Sequence, residues 1–278
     1  MKKRNIKITV ITALSLTVII AVSTLINNVI IPNSKYKKAI ALLDKGNVVE
    51  AYEVLIALNG YKDSNDKATA VFDKYFAEKT MNAKVGDCVT FGTYEQDNDI
   101  SNGMEEIEWI VLEKQDDKLL VISKHGLDAK PYNTAYGHIT WENCTLRSWL
   151  NNEFIHTAFS EEKRALIPMV SMENRQNIDN HTNYGNQIMD QVFLLSRTEA
   201  NRYLNSKSTK ECKPTAYART KIEYVHDDGT CDWWVRIPGH YRFGDFYTYH
   251  SGTGSDYSFV GPLNSMVIRP ALWIDLNS

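Results

Sequence analysis

Cysteine is scarce in this chain. Four residues, Cys88, Cys144, Cys212 and Cys231, stand among 278, too few for a disulfide-dense scaffold. No CxxC or Cys/His spacing marks a zinc site, so no metal is expected. Proline is also sparse, at seven residues, against an aromatic content of 11%. The net charge is only −3, with acids and bases interspersed. A dedicated nucleic-acid binder carries a basic stripe, and none is present. A nucleophile elbow and a glycine-rich phosphate loop are missing as well. His226-Asp-Asp-Gly and Cys231-Asp232 come nearest to a catalytic pattern, and neither completes one. The expectation is therefore a protein without catalytic residues and without a cofactor.

The first apolar run is the exception to an otherwise mixed chain. Lys2, Lys3, Arg4 and Lys7 precede an uncharged stretch from Ile8 to Ile31. About 24 residues at 1.5 Å each span about 36 Å, enough for a hydrocarbon core of roughly 30 Å. Basic residues before the run place the N-terminus in the cytoplasm and the rest outside. Ala21-Val22-Ser23 offers a cleavage site for the competing reading, a signal peptide. The run continues past it through Leu25, Ile26 and Val29, which favours an uncleaved anchor over residues 1–33. Export in turn permits disulfides, with three possible pairings and Cys212–Cys231 the first to test.

Residues 34–82 read as an all-α stalk of three short helices. Tyr36, Ala39, Ile40 and Leu43 share one face, then Ala51, Tyr52, Leu55 and Leu58, then Ala68, Val71, Phe72, Tyr75 and Phe76. Gly46-Asn47 and Asn59-Gly60 break the pattern, and Asp63 or Ser64 is placed to cap the third helix. The period then becomes strand-like, and residues 83–278 read as an α+β domain. Val85–Tyr94, Ile107–Leu112 and Leu119–Ser123 alternate as strands, the last two forming a hairpin. Gln96–Gly103 is a polar turn. Thr145–Asn151 and Ser196–Leu204 are helices, Ser160 opens another, and Val192–Leu195 is a short buried strand. Val170–Gln187 reads as surface loop. The first and last strands, rich in Val, Ile and Trp, suit one sheet.

The C-terminal stretch carries the functional expectation. Cys231-Asp-Trp-Trp-Val-Arg-Ile-Pro and Met266-Val-Ile-Arg-Pro-Ala-Leu-Trp-Ile are apolar strands. Between them, His240–Asn264 mixes Tyr, Phe, Gly, Ser, Asp, His and Arg, the composition of recognition loops. Tyr241, Arg242, Phe243, Asp245, Tyr247, Tyr249, His250, Asp256 and Tyr257 form the candidate ligand-binding set. The bland alternative is a meander with aromatic core residues. Phe246–Tyr249 reads as a strand, so Tyr247 and Tyr249 share a face. His125, Tyr132, Asn133, Tyr136, His138 and Trp141 form a second polar-aromatic loop, a candidate for the same surface. Trp233, Trp234 and Trp273 are expected in the core. Arg236 and Arg269 are expected to pair with a carboxylate such as Asp275 or Glu108, with ligand contact the alternative.

Several phrases together carry a resemblance. They are Val85-Gly-Asp-Cys-Val-Thr-Phe-Gly-Thr-Tyr, Ile107-Glu-Trp-Ile-Val-Leu, Thr145-Leu-Arg-Ser-Trp-Leu-Asn-Asn-Glu-Phe, Val192-Phe-Leu-Leu-Ser, Trp233-Trp-Val-Arg-Ile-Pro-Gly and Arg269-Pro-Ala-Leu-Trp-Ile. In that order they resemble domain-of-unknown-function family 6273 of exported bacterial proteins. The terminal pattern is similar to the C-type lectin-like fold, shared by formylglycine-generating enzymes and by the variable proteins of diversity-generating retroelements. That likeness implies a C-terminal segment displaying polar and aromatic side chains on a stable scaffold. The Glu-Pro-Asn, Gln-Pro-Asp and Trp-Asn-Asp motifs of calcium-dependent lectins are missing, so ligand capture is expected to be calcium-independent. The catalytic cysteine pair of the formylglycine-generating enzymes has no clear equivalent either. Residues 36–64 resemble a tetratricopeptide-like hairpin, too short for a concave array. The partners implied are the membrane, through the N-terminal helix, and an extracellular ligand such as a protein, a glycan or a cell-wall component. An enzyme on the same fold, or an assembly protein docking through its stalk, are the alternatives.

Overall fold

The computed structural model describes residues 22–135, 139–172, 187–206, 209, 211–238, 246–249, 259–260 and 263–276. It divides into two compact units, Met1–Asn82 and Ala83–Ser278.

The first unit is helical. Helix α1, Ile31–Asp44, continues a helical segment that begins at residue 22 and includes a π-turn at Ile26–Ile30. Among the described residues no helix is long and apolar enough to cross a membrane. Most of the expected span, residues 8–21, lies outside the described residues. Gly46, at φ +78°, ends α1, and α2 follows at Val48–Ile56. Asn59 (φ +44°) and Gly60 (φ +81°) turn the chain into α3, Ser64–Asn82. Ala39, Leu55 and Ala68 meet in the core, and Tyr52 stacks on Tyr75 at 3.9 Å. Two of these three core residues, Ala39 and Ala68, are small, which lets the helices approach closely. Asp63 directly precedes α3, and its carboxylate accepts the Tyr36 hydroxyl and ties α1 to the start of α3.

The second unit is mixed α+β, with two five-stranded sheets. Strands β1 (Cys88–Tyr94), β2 (Glu105–Gln115) and β3 (Lys118–Ser123) form an antiparallel meander. The last strand, β12 (Ala271–Asp275), pairs antiparallel with β3, Leu272 opposite Val121. Strand β7 (Val192–Phe193) closes the order β1-β2-β3-β12-β7. The apolar C-terminal run thus joins the apolar N-terminal strands, burying Val121, Ile122, Leu272 and Ile274.

The second sheet has the order β10-β9-β8-β11-β4. Its strands are β4 (Asp128–Pro131), β8 (Trp233–Pro238), β9 (Phe246–Tyr249), β10 (Phe259–Val260) and β11 (Ser265–Ile268). Strands β8 and β11 run parallel, Trp233 opposite Val267; the other pairs are antiparallel. A ribbon of β5 (Val170–Met172) and β6 (Ile188–Asp190) stands apart. It corrects the reading of Val170–Gln187 as loop throughout, since Val170–Met172 is a paired strand; residues 173–186 lie outside the described set.

Helix α4 runs from Thr145–Trp149 through a π-turn, Leu150–Phe154, into Ile155–Ala158. Asn151 on it imitates a strand edge: Oδ1 accepts from Gln191 N and Val192 N, and Nδ2 donates to Val192 O. Ser160 caps α5 (Glu161–Ala165), its side chain accepting from Lys163 N. Helix α6 (Arg197–Tyr203) starts with a full capping box between Ser196 and Glu199. Helix α7 is Ala216–Arg219, capped by Thr215.

Phe159, after α4, packs on β1. Its ring lies 5.1 Å from that of Phe91 and 6.2 Å from that of Trp109. Gly92 makes this possible. It sits at φ +76° within the β1 bulge, and a Cβ there would stand 2.4 Å from Phe159 Cε1 and 2.6 Å from Ala158 O. Backbone strain and a fixed neighbour both oppose a side chain. Gly92→Ala is therefore expected to destabilise the domain by about 2–4 kcal/mol, read as a lower denaturation midpoint in urea; a change below about 0.5 kcal/mol would show that β1 can shift away from α4 at little cost.

Candidate functional site

The two buried arginines organise the sheet that carries the candidate segment. Arg236 is buried on β8, and its Nη2 donates to both Glu199 oxygens at 3.0 Å. Its carbonyl accepts the Tyr132 hydroxyl at 2.5 Å. Arg269, fully buried between β11 and β12, donates from Nε to Ser123 O at 2.8 Å and from Nη1 to Thr209 O at 2.9 Å. Its guanidinium lies 4.8 Å from the Trp233 ring. The carboxylates expected from sequence are engaged elsewhere: Glu108 with Lys124 and Asp275 with Lys118, each at 2.8 Å. The correction has a simple cause. Ser123 and Thr209 offer backbone carbonyls where the guanidinium of Arg269 lies, whereas Arg236 does meet a carboxylate, that of Glu199, which reaches β8 from a capping box remote in sequence.

Trp233 and Trp234 are core residues, as expected, and Trp234 Nε1 donates to Lys130 O at 2.8 Å. Trp273 is half-buried. Two members of the second polar-aromatic loop are core residues rather than surface ones. Tyr132 and Trp141 are buried, the latter donating from Nε1 to Asp190 Oδ2 at 2.8 Å. Asn133 accepts from Thr145 N at 2.9 Å and caps α4. His125 is half-buried, and burial, then the charge of Lys124, lowers its pKa. Tyr136 and His138 lie outside the described residues. Sequence alone showed polar aromatics but not that the Tyr132 hydroxyl serves a backbone carbonyl and the Trp141 indole a buried carboxylate.

Of the candidate binding set, Tyr241, Arg242, Phe243, Asp245, His250, Asp256 and Tyr257 also lie outside the described residues. Tyr247 and Tyr249 belong to β9, where Tyr249 is opposite Trp233 and Tyr247 opposite Phe259. Strand β9 therefore hangs directly on β8, whose residues 233–236 are buried.

A cleft of about 530 Å³ opens at the end of this sheet where β8 and β11 begin. Lys221 and Tyr224 stand on one wall, Leu263, Asn264 and Met266 on the other, with Asp232 beside them. The chain leaves β9 at Tyr249, opposite Trp233, at this same end. Tyr224 is 67% exposed, and its ring meets that of His226 edge-on at 5.3 Å. His226 Nε2 lies 2.9 Å from Asp232 Oδ1. Aromatic, apolar and charged groups in one concavity suit the capture of an amphipathic ligand.

Behind the cleft stands a buried network. Asp128, 2% exposed, accepts from Lys221 Nζ at 2.5 Å and from Tyr94 Oη at 2.7 Å. Burial opposes the Lys221 charge, but its bonds to Asp128 and Tyr217 outweigh this and raise its pKa. Burial, then the Asp128 charge, pushes the Tyr94 phenol far above its ordinary value.

All four cysteines are thiols. The structure brings Cys212 and Cys231 side by side: Cys231 N and Sγ lie 2.9 and 3.4 Å from Cys212 O. The hydrogen bond to Cys212, then burial, drives the Cys231 thiol far up. Burial likewise raises Cys144 to about 12. Cys212 shifts the other way: burial opposes its ionisation, but the hydrogen bond from Cys231 and the charge of Arg269 outweigh this and lower its pKa.

A family model described as Domain of unknown function (DUF6273) matches residues 116–276. No curated protein and no solved structure matches the chain.

Tyr94 and Lys221 link stability to alkaline pH. Their ordinary values are 10.0 and 10.5, and both are raised in the fold. Their contribution is thus present in full below about pH 10 and is lost as pH rises through the folded-state values. Urea unfolding is expected to show a midpoint that holds steady up to about pH 10 and then falls. Tyr94→Phe should make that fall shallower; parallel profiles for the two proteins would mean that Tyr94 does not contribute it.

Proposed function

This chain belongs to the DUF6273 family, and we propose that it is a membrane-anchored, extracellular ligand-recognition protein. The residues that contact ligand are those of β9 and the segments flanking it, with the adjoining cleft. The observation that carries the reading is the position of β9. The strand bearing Tyr247 and Tyr249 is paired to β8, the strand locked by Trp233, Trp234 and Arg236, and ends beside the cleft. A rigid strand with recognition-type composition on either side is the usual arrangement of a binding face on a scaffold.

The domain reading within this proposal is C-type lectin-like. It is supported by the return of β12 to β3, which brings both ends of the domain into one sheet, and by the insertion of a second sheet before that return. The anchor reading is supported by the side chains at the end of the apolar run. Leu25, Ile26, Val29 and Ile30 are 40–53% exposed, and a helix segment apolar on its outside calls for apolar surroundings. The helical unit is the stalk of this reading.

The test is capture by the full-length chain on glycan, peptidoglycan and surface-protein arrays, with and without calcium. Capture should not need calcium. Tyr247→Ala combined with Tyr249→Ala should weaken it at least about tenfold while leaving Tm near that of the parent chain. Equal affinity in a folded double variant would remove β9 from the site. Deleting residues 35–80 should spare capture; its loss would assign the function to the stalk.

A further inference from the structure

The connection between β1 and β2 gathers three carboxylates. Glu95, Asp97 and Glu105 each offer an oxygen, and these oxygens lie within 4.8 Å of one another. The hairpin register brings them together, since Tyr94 is opposite Glu105 and Glu95 follows directly. Gln96 N and Asp97 N donate to Glu105 Oε2 at 2.7 and 3.3 Å, curling the turn back onto the start of β2.

Glu95 is the informative member. It is only 9% exposed, and its Oε1 has no hydrogen-bond partner among the described residues. Burying a carboxylate oxygen without a donor is unfavourable. Among the described residues no Lys or Arg forms an ion pair with any of the three acids. Three like charges at this separation repel unless a cation stands between them. Two oxygens on one calcium ion, at about 2.3–2.6 Å each, lie at most about 4.6–5.2 Å apart. The cluster fits within that span. The donors are all oxygen, which favours a hard cation over zinc or copper.

We infer that Glu95, Asp97 and Glu105 form a binding site for a divalent cation of the calcium type, completed by water or backbone oxygens. Asp97 is held in place by its neighbours, its Oδ1 accepting from Asp99 N at 2.8 Å and its Oδ2 from Asn102 Nδ2 at 2.7 Å. The cation would stiffen the β1–β2 turn. Gln96 O accepts from Tyr217 N at 3.0 Å, so the turn rests on α7, just before the Lys221 wall of the cleft.

The experiment uses the full-length chain stripped with chelator. Calcium is titrated by calorimetry, and terbium by luminescence excited through tyrosine, for which Tyr94 is the adjacent donor. One saturable site is expected, with Kd on the order of 10⁻⁵–10⁻³ M, and bound calcium should raise Tm. Glu95→Gln should weaken binding at least about tenfold while leaving Tm in chelator equal to or above that of the parent chain. Asp97→Asn, at an exposed position, should weaken binding in the same direction and guards against a Glu95 variant that fails to fold. No calcium uptake up to about 10 mM, or uptake equal in both folded variants, would overturn the assignment.

Discussion

A buried guanidinium at the passage between the two sheets is the constraint on which this domain depends. The chain crosses from β11 to β12 at Arg269-Pro270. There Arg269 holds Ser123 O at the end of β3 and Thr209 O, and lies against the ring of Trp233 on β8. Ser123 N, in turn, donates to Pro270 O. One side chain therefore ties the end of the first sheet to the middle of the second. Charge-assisted hydrogen bonds of this kind contribute about 1.5–3 kcal/mol each, and a desolvated cation over an indole about 2 kcal/mol. Against them stands the desolvation of a full charge. The balance is a specificity device as much as a stabilising one: only the register that brings carbonyls to Arg269 makes its burial tolerable.

That locked junction explains how a segment of polar and aromatic residues can be carried without weakening the fold. Strands β8 and β11, on either side of the segment, hold their places through Trp233, Trp234, Arg236 and Arg269. Each has a partner outside the segment: Lys130 O for Trp234, Glu199 for Arg236, Ser123 O for Arg269. The Asp128–Lys221–Tyr94 network supports the adjoining cleft through Lys221.

The strands and helices were legible where local rules governed them. Alternation in Ile107–Leu112, the glycine at φ +78° after α1 and the serine caps at Ser160 and Ser196 all act within a few residues. The partners of the polar core were not legible. Arg236 and Glu199 are 37 positions apart, Tyr132 and the Arg236 carbonyl 104, Trp141 and Asp190 49. Periodicity carries no information at such separations. The polar-aromatic loop at residues 125–141 looked like a surface because hydroxyl, amide and indole groups look alike whether they meet solvent or a buried backbone. The acidic turn was visible as polar, but its convergence needed the β1–β2 register, which sets Glu95 beside Glu105.

By itself the sequence determined the longer helices and strands, the mixed α+β class and the apolar runs that become β3, β8 and β12, because burial and backbone propensity act residue by residue. Only the tertiary structure decided which charge meets which acceptor, that β8 and β11 run parallel, and where a cleft and an acidic cluster open. Those outcomes depend on pairing between distant segments, and pairing is selected by the joint satisfaction of buried polar groups, a property of the assembled domain rather than of any stretch within it.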